Sequence, residues 1–170
     1  MKNMTSTFKR DLEIFIEKIF KEVKRYYGDR LISFVLFGSQ ARGTQRPDSD
    51  IDLLLVIKDL PKSRLKRSEE FTTKIENKLE KELERLYSKG IYTWINAILK
   101  TPEEIEKGNL LLLDMIEDAK ILYDKEAFFK KRLERLKKRL EKWGAKRVWK
   151  GNAWYWILKP DLKPGERIEI

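Results

Sequence analysis

The stretch Phe37–Leu55, FGSQARGTQRPDSDIDLLL, decides how the rest of the chain is read. Leading into it, Leu31–Phe37 (LISFVLF) is short, nearly all apolar and stopped by Gly38, the pattern of a buried strand. Asp50–Lys58 (DIDLLLVIK) predicts a second strand, with a helical turn or two over Gln40–Arg46 and a turn over Pro47–Ser49 between them. Glycine at a strand-to-helix turn lets the backbone approach a ligand closely, and the N–H groups of the following turn form an anion site. A phosphate is the natural guest, and the Ser39 hydroxyl adds a donor or acceptor at the same place. Residues i and i+2 of a strand share a face, so the carboxylates of Asp50 and Asp52 converge. They repel unless a cation lies between them. Magnesium, or manganese, suits that place because it takes oxygen ligands from one or two carboxylates and completes its shell with water and substrate phosphates. Alone, Gly38-Ser39 is an ordinary strand-ending turn, and Asp50-x-Asp52 is two exposed positions on an edge strand. Together, between two apolar strands, they point to metal-assisted phosphoryl transfer.

Composition narrows the chemistry further. The 170 residues contain no Cys and no His, which excludes disulfides, the usual zinc sites, Cys-His nucleophiles and imidazole bases. Length predicts one compact domain with a C-terminal appendage. No apolar run is long enough to span a membrane and the N-terminus lacks a signal-peptide core, so the expected location is cytoplasmic. Abundant Lys, Arg and Glu on the helices are compatible with a heat-adapted source. The net charge of +10 is concentrated in residues 125–150, which hold twelve Lys/Arg against three Glu. Such a segment is either a solvated helix face or a surface for polyanions, nucleic acid included.

Outward from the central stretch, Phe8, Leu12, Phe15, Ile16, Ile19, Val23 and Tyr26 predict a helix over about 8–27. A long helix opens at Pro61, buries Phe71, Ile75, Leu79, Leu83 and Leu86, and closes at Gly90. Ile91–Leu99 (IYTWINAIL) predicts a third strand, Thr101-Pro102-Glu103-Glu104 a helix start, and Ala119–Tyr123 a short strand or extended link. Phe129, Leu133, Leu136, Leu140 and Trp143 stripe a last helix. The closing segment, Arg147–Ile170, contains Trp149, Trp154 and Trp156. Alternation around the last two fits a strand with one aromatic face, which Pro160 and Pro164 then interrupt. It is either a base-stacking surface or an arm packed on the core.

Gly38-Ser39, ten intervening residues and Asp50-Ile51-Asp52 resemble the motif of the polymerase-β nucleotidyltransferase superfamily, particularly its minimal nucleotidyltransferase branch in archaea and bacteria. Ala41, Arg42, Gly43 and Ser49 match the same pattern, and the likeness runs over about 31–123. The resemblance implies an α/β (α+β) nucleotidyltransferase fold, a small mixed sheet flanked by helices. That domain would occupy residues 1–124, with the basic helix and Trp-rich extension at 125–170 packed on it. It implies that Gly38 and Ser39 hold the triphosphate of an NTP, ATP first, that Arg42 assists a phosphate, and that Asp50 and Asp52 are the catalytic metal ligands.

The family places a third carboxylate on the next strand, and here that position aligns with Asn96. Asn can ligate or hydrogen-bond but cannot act as a base. Glu103 or Glu104 would be substitutes if that strand's end lay near the site. Three readings follow. The first is transfer of a nucleoside monophosphate to a hydroxyl acceptor. The second is a catalytically weakened, antitoxin-type nucleotide-binding module paired with a helical HEPN-type protein. The third is a nucleic-acid-binding surface over 125–150. A homodimer is compatible with all three.

Overall fold

The computed structural model describes residues 2–151, 153–163, 165, 166 and 168. Pro164, on which part of the tail reading rested, lies outside them. The helix α1 (Lys2–Tyr27) leads into β1 (Leu31–Phe37), the single-turn α2 (Gly38–Arg42) and β2 (Ile51–Ile57). Next come α3 (Arg64–Lys74), α4 (Glu80–Ser88), β3 (Ile95–Lys100), α5 (Pro102–Glu106), α6 (Leu111–Asp118) and β4 (Lys120–Asp124). The long helix α7 (Phe128–Lys142) precedes a hairpin of β5 (Lys146–Lys150) and β6 (Ala153–Ile157). Among the described residues, no helix is long and apolar enough to cross a membrane.

The first four strands form one mixed sheet in the order β3-β2-β1-β4. β1 is antiparallel to both β2 and β4, whereas β2 and β3 run parallel. Helices cover both faces, which is why β1 and β2 read as nearly continuous apolar runs. On one face, Leu12, Phe15, Ile19 and Val23 of α1 pack with Phe71, Ile75, Leu79 and Leu86 against Phe34, Leu53 and Leu55. On the other, Ile105, Leu112, Met115, Phe129 and Leu136 cover Val35, Leu54 and Val56. At about 0.025 kcal/mol per Å² of buried apolar surface, this double core is the dominant stabilising term.

Beyond shifts of a few residues at element ends, such as α2 at Gly38–Arg42 where the sequence predicts a helical turn over Gln40–Arg46, two expected elements differ from the structure. The single helix over 61–90 is split. Ser63 caps α3, Ile75 leaves the helical region at φ −120°, and a 3-10 turn over Glu76–Lys78 leads into α4. Phe71, Ile75, Leu79 and Leu83 are each four residues apart, and at about 100° per residue a straight helix would swing that stripe about 40° further from the core at each step. The break resets it. The third strand begins at Ile95 rather than Ile91, because the preceding segment bonds to the loop before β2. Tyr92 N–H donates to Pro47 O (2.8 Å), Ile51 N–H donates to Trp94 O (2.9 Å), and the Thr93 hydroxyl donates to Ser49 O (2.8 Å).

Part of the basic segment is committed internally. Arg132 is buried and donates to Ile105 O at 3.2 Å, Arg135 is paired with Glu106 at 2.6 Å, and Arg147 with Asp118 at 2.9 Å. Trp156 and Leu158 pack against the second core face, while Trp149 and Tyr155 are exposed.

Candidate active site

The end of β1 and the start of β2 converge because the strands are antiparallel neighbours, which sets Phe37 opposite Asp52. Gly38 follows at φ +68°, a left-handed conformation that costs a residue with a side chain about 1–2 kcal/mol. A Cβ there would also overlap Asp52 Oδ2 and come within 3.0 Å of Cγ. Glycine is therefore required twice over, once by the backbone and once by the carboxylate pressed against it. α2 is only five residues long and ends on Gly43 at φ +74°, turning the chain into the loop that carries Asp50. That loop is held by the bonds from residues 92–94 just described, and the Tyr87 hydroxyl in turn donates to Thr93 O at 3.1 Å.

Asp50 lies immediately before β2 rather than on it, so its convergence with Asp52 comes from the anchored loop and not from strand alternation. Asn96 is directly opposite Asp52 in the parallel pairing, and its Nδ2 donates to Asp52 Oδ1 at 2.8 Å. Burial pushes the Asp52 carboxyl above the usual carboxylate range. The Asn96 hydrogen bond opposes that shift, the Asp50 charge adds to it, and the Arg42 charge lowers it. Gly38, Arg42, Asp50, Asp52 and Asn96 thus come together, with Ser39 on the first turn of α2 beside them.

Glu103 and Glu104 do not join them. Asn96 is at one end of β3 and Thr101 lies past the other, about 16 Å away at 3.3 Å per residue. Glu104 completes a capping box with Thr101 and pairs with the buried Arg67 at 2.7 Å. Their expected role as substitutes for the third acid is corrected by this distance.

Two contacts had no sequence signal strong enough to find them. The Arg42 guanidinium lies over the Trp154 ring, 5.0 Å from its centroid, and the Trp154 indole N–H donates to Asp114 Oδ1 at 3.0 Å. The only hint was Asp114 itself, a lone acid inside the apolar run LLLDMI. Thr93, fully buried beneath the Asp50 loop, is equally inconspicuous in sequence.

The nucleotidyltransferase domain model matches residues 16–149. The chain belongs to the nucleotidyltransferase domain family. A Methanocaldococcus jannaschii protein to which protein adenylyltransferase activity is ascribed is 37% identical over 128 residues, covering 74% of this chain and 81% of that protein. Among solved structures, a toxin–antitoxin structure with AMP-PNP is similar at a TM-score of 0.46 and 22% identity, over 75% of this chain and 90% of that one. A complex of tri-AMPylated Shewanella oneidensis HEPN toxin with MNT antitoxin is similar at 0.42 and 18%, over 76% and 90%. In this nucleotidyltransferase the family match stops at Trp149, so Trp154 reaches Arg42 from beyond it.

Proposed function

We propose that the chain transfers AMP from ATP to a hydroxyl on a protein acceptor, with Mg2+ or Mn2+ held by Asp50 and Asp52. The observation that carries this reading is the packing of Asp52 against Gly38, which presses a carboxylate onto the phosphate-binding turn with no room for a side chain between them. The donor set fits a hard divalent ion. Asp52 is half-buried beside a second carboxylate, and among the described residues no third acid joins them, which leaves coordination positions for water and phosphate oxygens. When bound, the ion would neutralise the triphosphate and the charge developing on the leaving pyrophosphate. A protein acceptor is supported by the activity ascribed to the relative at 37% identity.

In the reaction the acceptor oxygen bonds to the α-phosphorus, the bond from that phosphorus to the α–β bridging oxygen breaks, and pyrophosphate leaves with the electron pair. The acceptor proton passes to solvent or a carboxylate. The turn at Gly38-Ser39 directs N–H groups and the Ser39 hydroxyl at the phosphates, and Arg42 adds a positive charge. Asn96 fixes the orientation of Asp52 through its 2.8 Å bond but cannot take up the proton.

That last point favours a second reading, in which nucleotide binding persists, transfer is weak, and the chain acts as the partner of a helical HEPN-type protein. Titration with ATP and Mg2+, followed by transfer of label from α-phosphate-labelled ATP to the protein encoded next to this one, separates the two. Metal-dependent binding lost in Asp50→Asn and Asp52→Asn, together with labelled acceptor, is expected. Binding indifferent to both substitutions would refute the site, and binding without any transfer would refute the first reading, leaving co-purification with a helical partner to test the second.

A further inference from the structure

The hairpin formed by β5 and β6 is anchored by α6, and its inner face meets the active site. In the hairpin register Trp149 is opposite Trp154 and Arg147 opposite Trp156, so all four side chains share one face. Arg147 is clamped by Glu117 (3.0 Å) and Asp118 (2.9 Å) and lies against both the Trp149 and Trp154 rings, at 5.2 and 5.3 Å from their centroids. The two rings are 5.0 Å apart, and Asp114 takes the Trp154 N–H. Trp154 is therefore fixed from three directions before it meets Arg42. Among the described residues, Arg42 forms no salt bridge, and its guanidinium is held over this ring near Asp52.

We propose that Trp154 is a positioning residue of the nucleotide site, which holds the Arg42 guanidinium over its ring so that it is aimed at the triphosphate before ATP arrives. This inference rests on the assignment of Arg42 to the phosphates made above. A free arginine gives up rotamer freedom when it is fixed on a ligand, and an indole that fixes it in advance removes much of that loss. A guanidinium whose face rests on a ring keeps its N–H edge free for phosphate oxygens. The hairpin is thus a working wall of the site, and the strand of it that carries Trp154, β6, lies beyond the family match.

The test is a double-mutant cycle on Mg2+-dependent binding of ATP and of inorganic tripolyphosphate, with transfer kinetics beside it. Trp154→Leu is expected to weaken both ligands roughly fivefold to thirtyfold, the range of a partly desolvated cation–π contact, and to raise KM more than it lowers kcat. Trp154→Phe keeps a ring face and should restore most of the affinity. In an Arg42→Ala background, Trp154→Leu should add nothing further. Additive losses, or no loss, would overturn the proposal. If Trp154→Leu fails to fold, Asp114→Ala, which frees the indole but keeps the ring, should give a smaller loss that also vanishes on Arg42→Ala, and additivity there overturns the proposal equally. Failure of the site assignment is distinguishable, because binding would then survive Asp52→Asn.

Discussion

Substituting Gly38 by Ala tests the construction of the site most directly, because the two reasons for glycine there have different consequences. The backbone reason is φ +68°, worth about 1–2 kcal/mol against any residue with a Cβ, or about 3–6 °C in Tm for a chain of this size. The steric reason is the Asp52 carboxylate. A Cβ 3.0 Å from Cγ falls short of the usual carbon–carbon separation by about 0.5 Å, and clearing the overlap with Oδ2 needs about 1 Å of movement. Misplacing a reacting group by about 1 Å costs roughly 100-fold in rate. Gly43 is the control, since it has φ +74° with open space for 4 Å around the position a Cβ would take. Gly43→Ala should therefore show the Tm loss with transfer near wild type, and Gly38→Ala the Tm loss together with a fall of about 100-fold in label transfer. Thermal melts and the transfer assay on both variants decide it. Equal activity in the two would refute the claim that Gly38 and Asp52 are packed into one device.

Three further outcomes are expected. In EDTA, Asp52→Asn should be more stable than wild type at neutral pH. Because the folded-state pKa of Asp52 is raised, its favourable contribution is complete below the ordinary carboxylate pKa and is lost as pH rises through the elevated one. Melts from pH 3 to pH 7 should show the gap opening in that window, and a less stable variant at pH 7 contradicts the cause assigned to the shift. Asn96→Asp replaces a 2.8 Å hydrogen bond with a like-charge contact, so the metal-free Tm should fall by about 3–6 °C and the Mg2+-induced rise should grow. An unchanged response to Mg2+ would show that position 96 does not face the metal. Asp124→Ala removes the acceptor for the fully buried Ser33 hydroxyl (2.7 Å) and for the Phe129 and Lys130 N–H groups at the start of α7 (2.9 and 3.0 Å). A loss of about 2–3 kcal/mol is expected in urea melts, and less than about 0.5 kcal/mol would mean that the cap is replaced by solvent.

Much of this arrangement was legible in the sequence because it depends on local periodicity. The apolar run Leu31–Phe37 ending in glycine, and a second run opening on Asp50, give the two strands and their junction to within a residue without any long-range knowledge. What escaped is what depends on partners distant in the chain. Residues 91–94 look like the start of β3, yet residues 92–94 are hydrogen-bonded to Pro47, Ser49 and Ile51, more than forty positions earlier. The helix break at Ile75 follows from a phase drift that only the position of the core makes intolerable. The contact of Trp154 with Arg42 spans 112 positions and has no periodic signature, so the tail's aromatic pattern could be read equally as a packed arm or a free surface.

Asp52 and Asn96 are held by strands of unequal standing. β2 is interior, flanked by β1 and β3, and its residues around Asp52 are fully buried, whereas β3 is an outer strand and Asn96 is exposed. A change at Asp52 disturbs the glycine turn, the metal site and the core together. A change at Asn96 reaches one neighbour and solvent. An exchange of amide for acid at position 96 therefore acts on the metal site and on one hydrogen bond while the core beneath β2 stays as it is, so the strength of the chemistry is adjustable at a position on which the architecture does not depend.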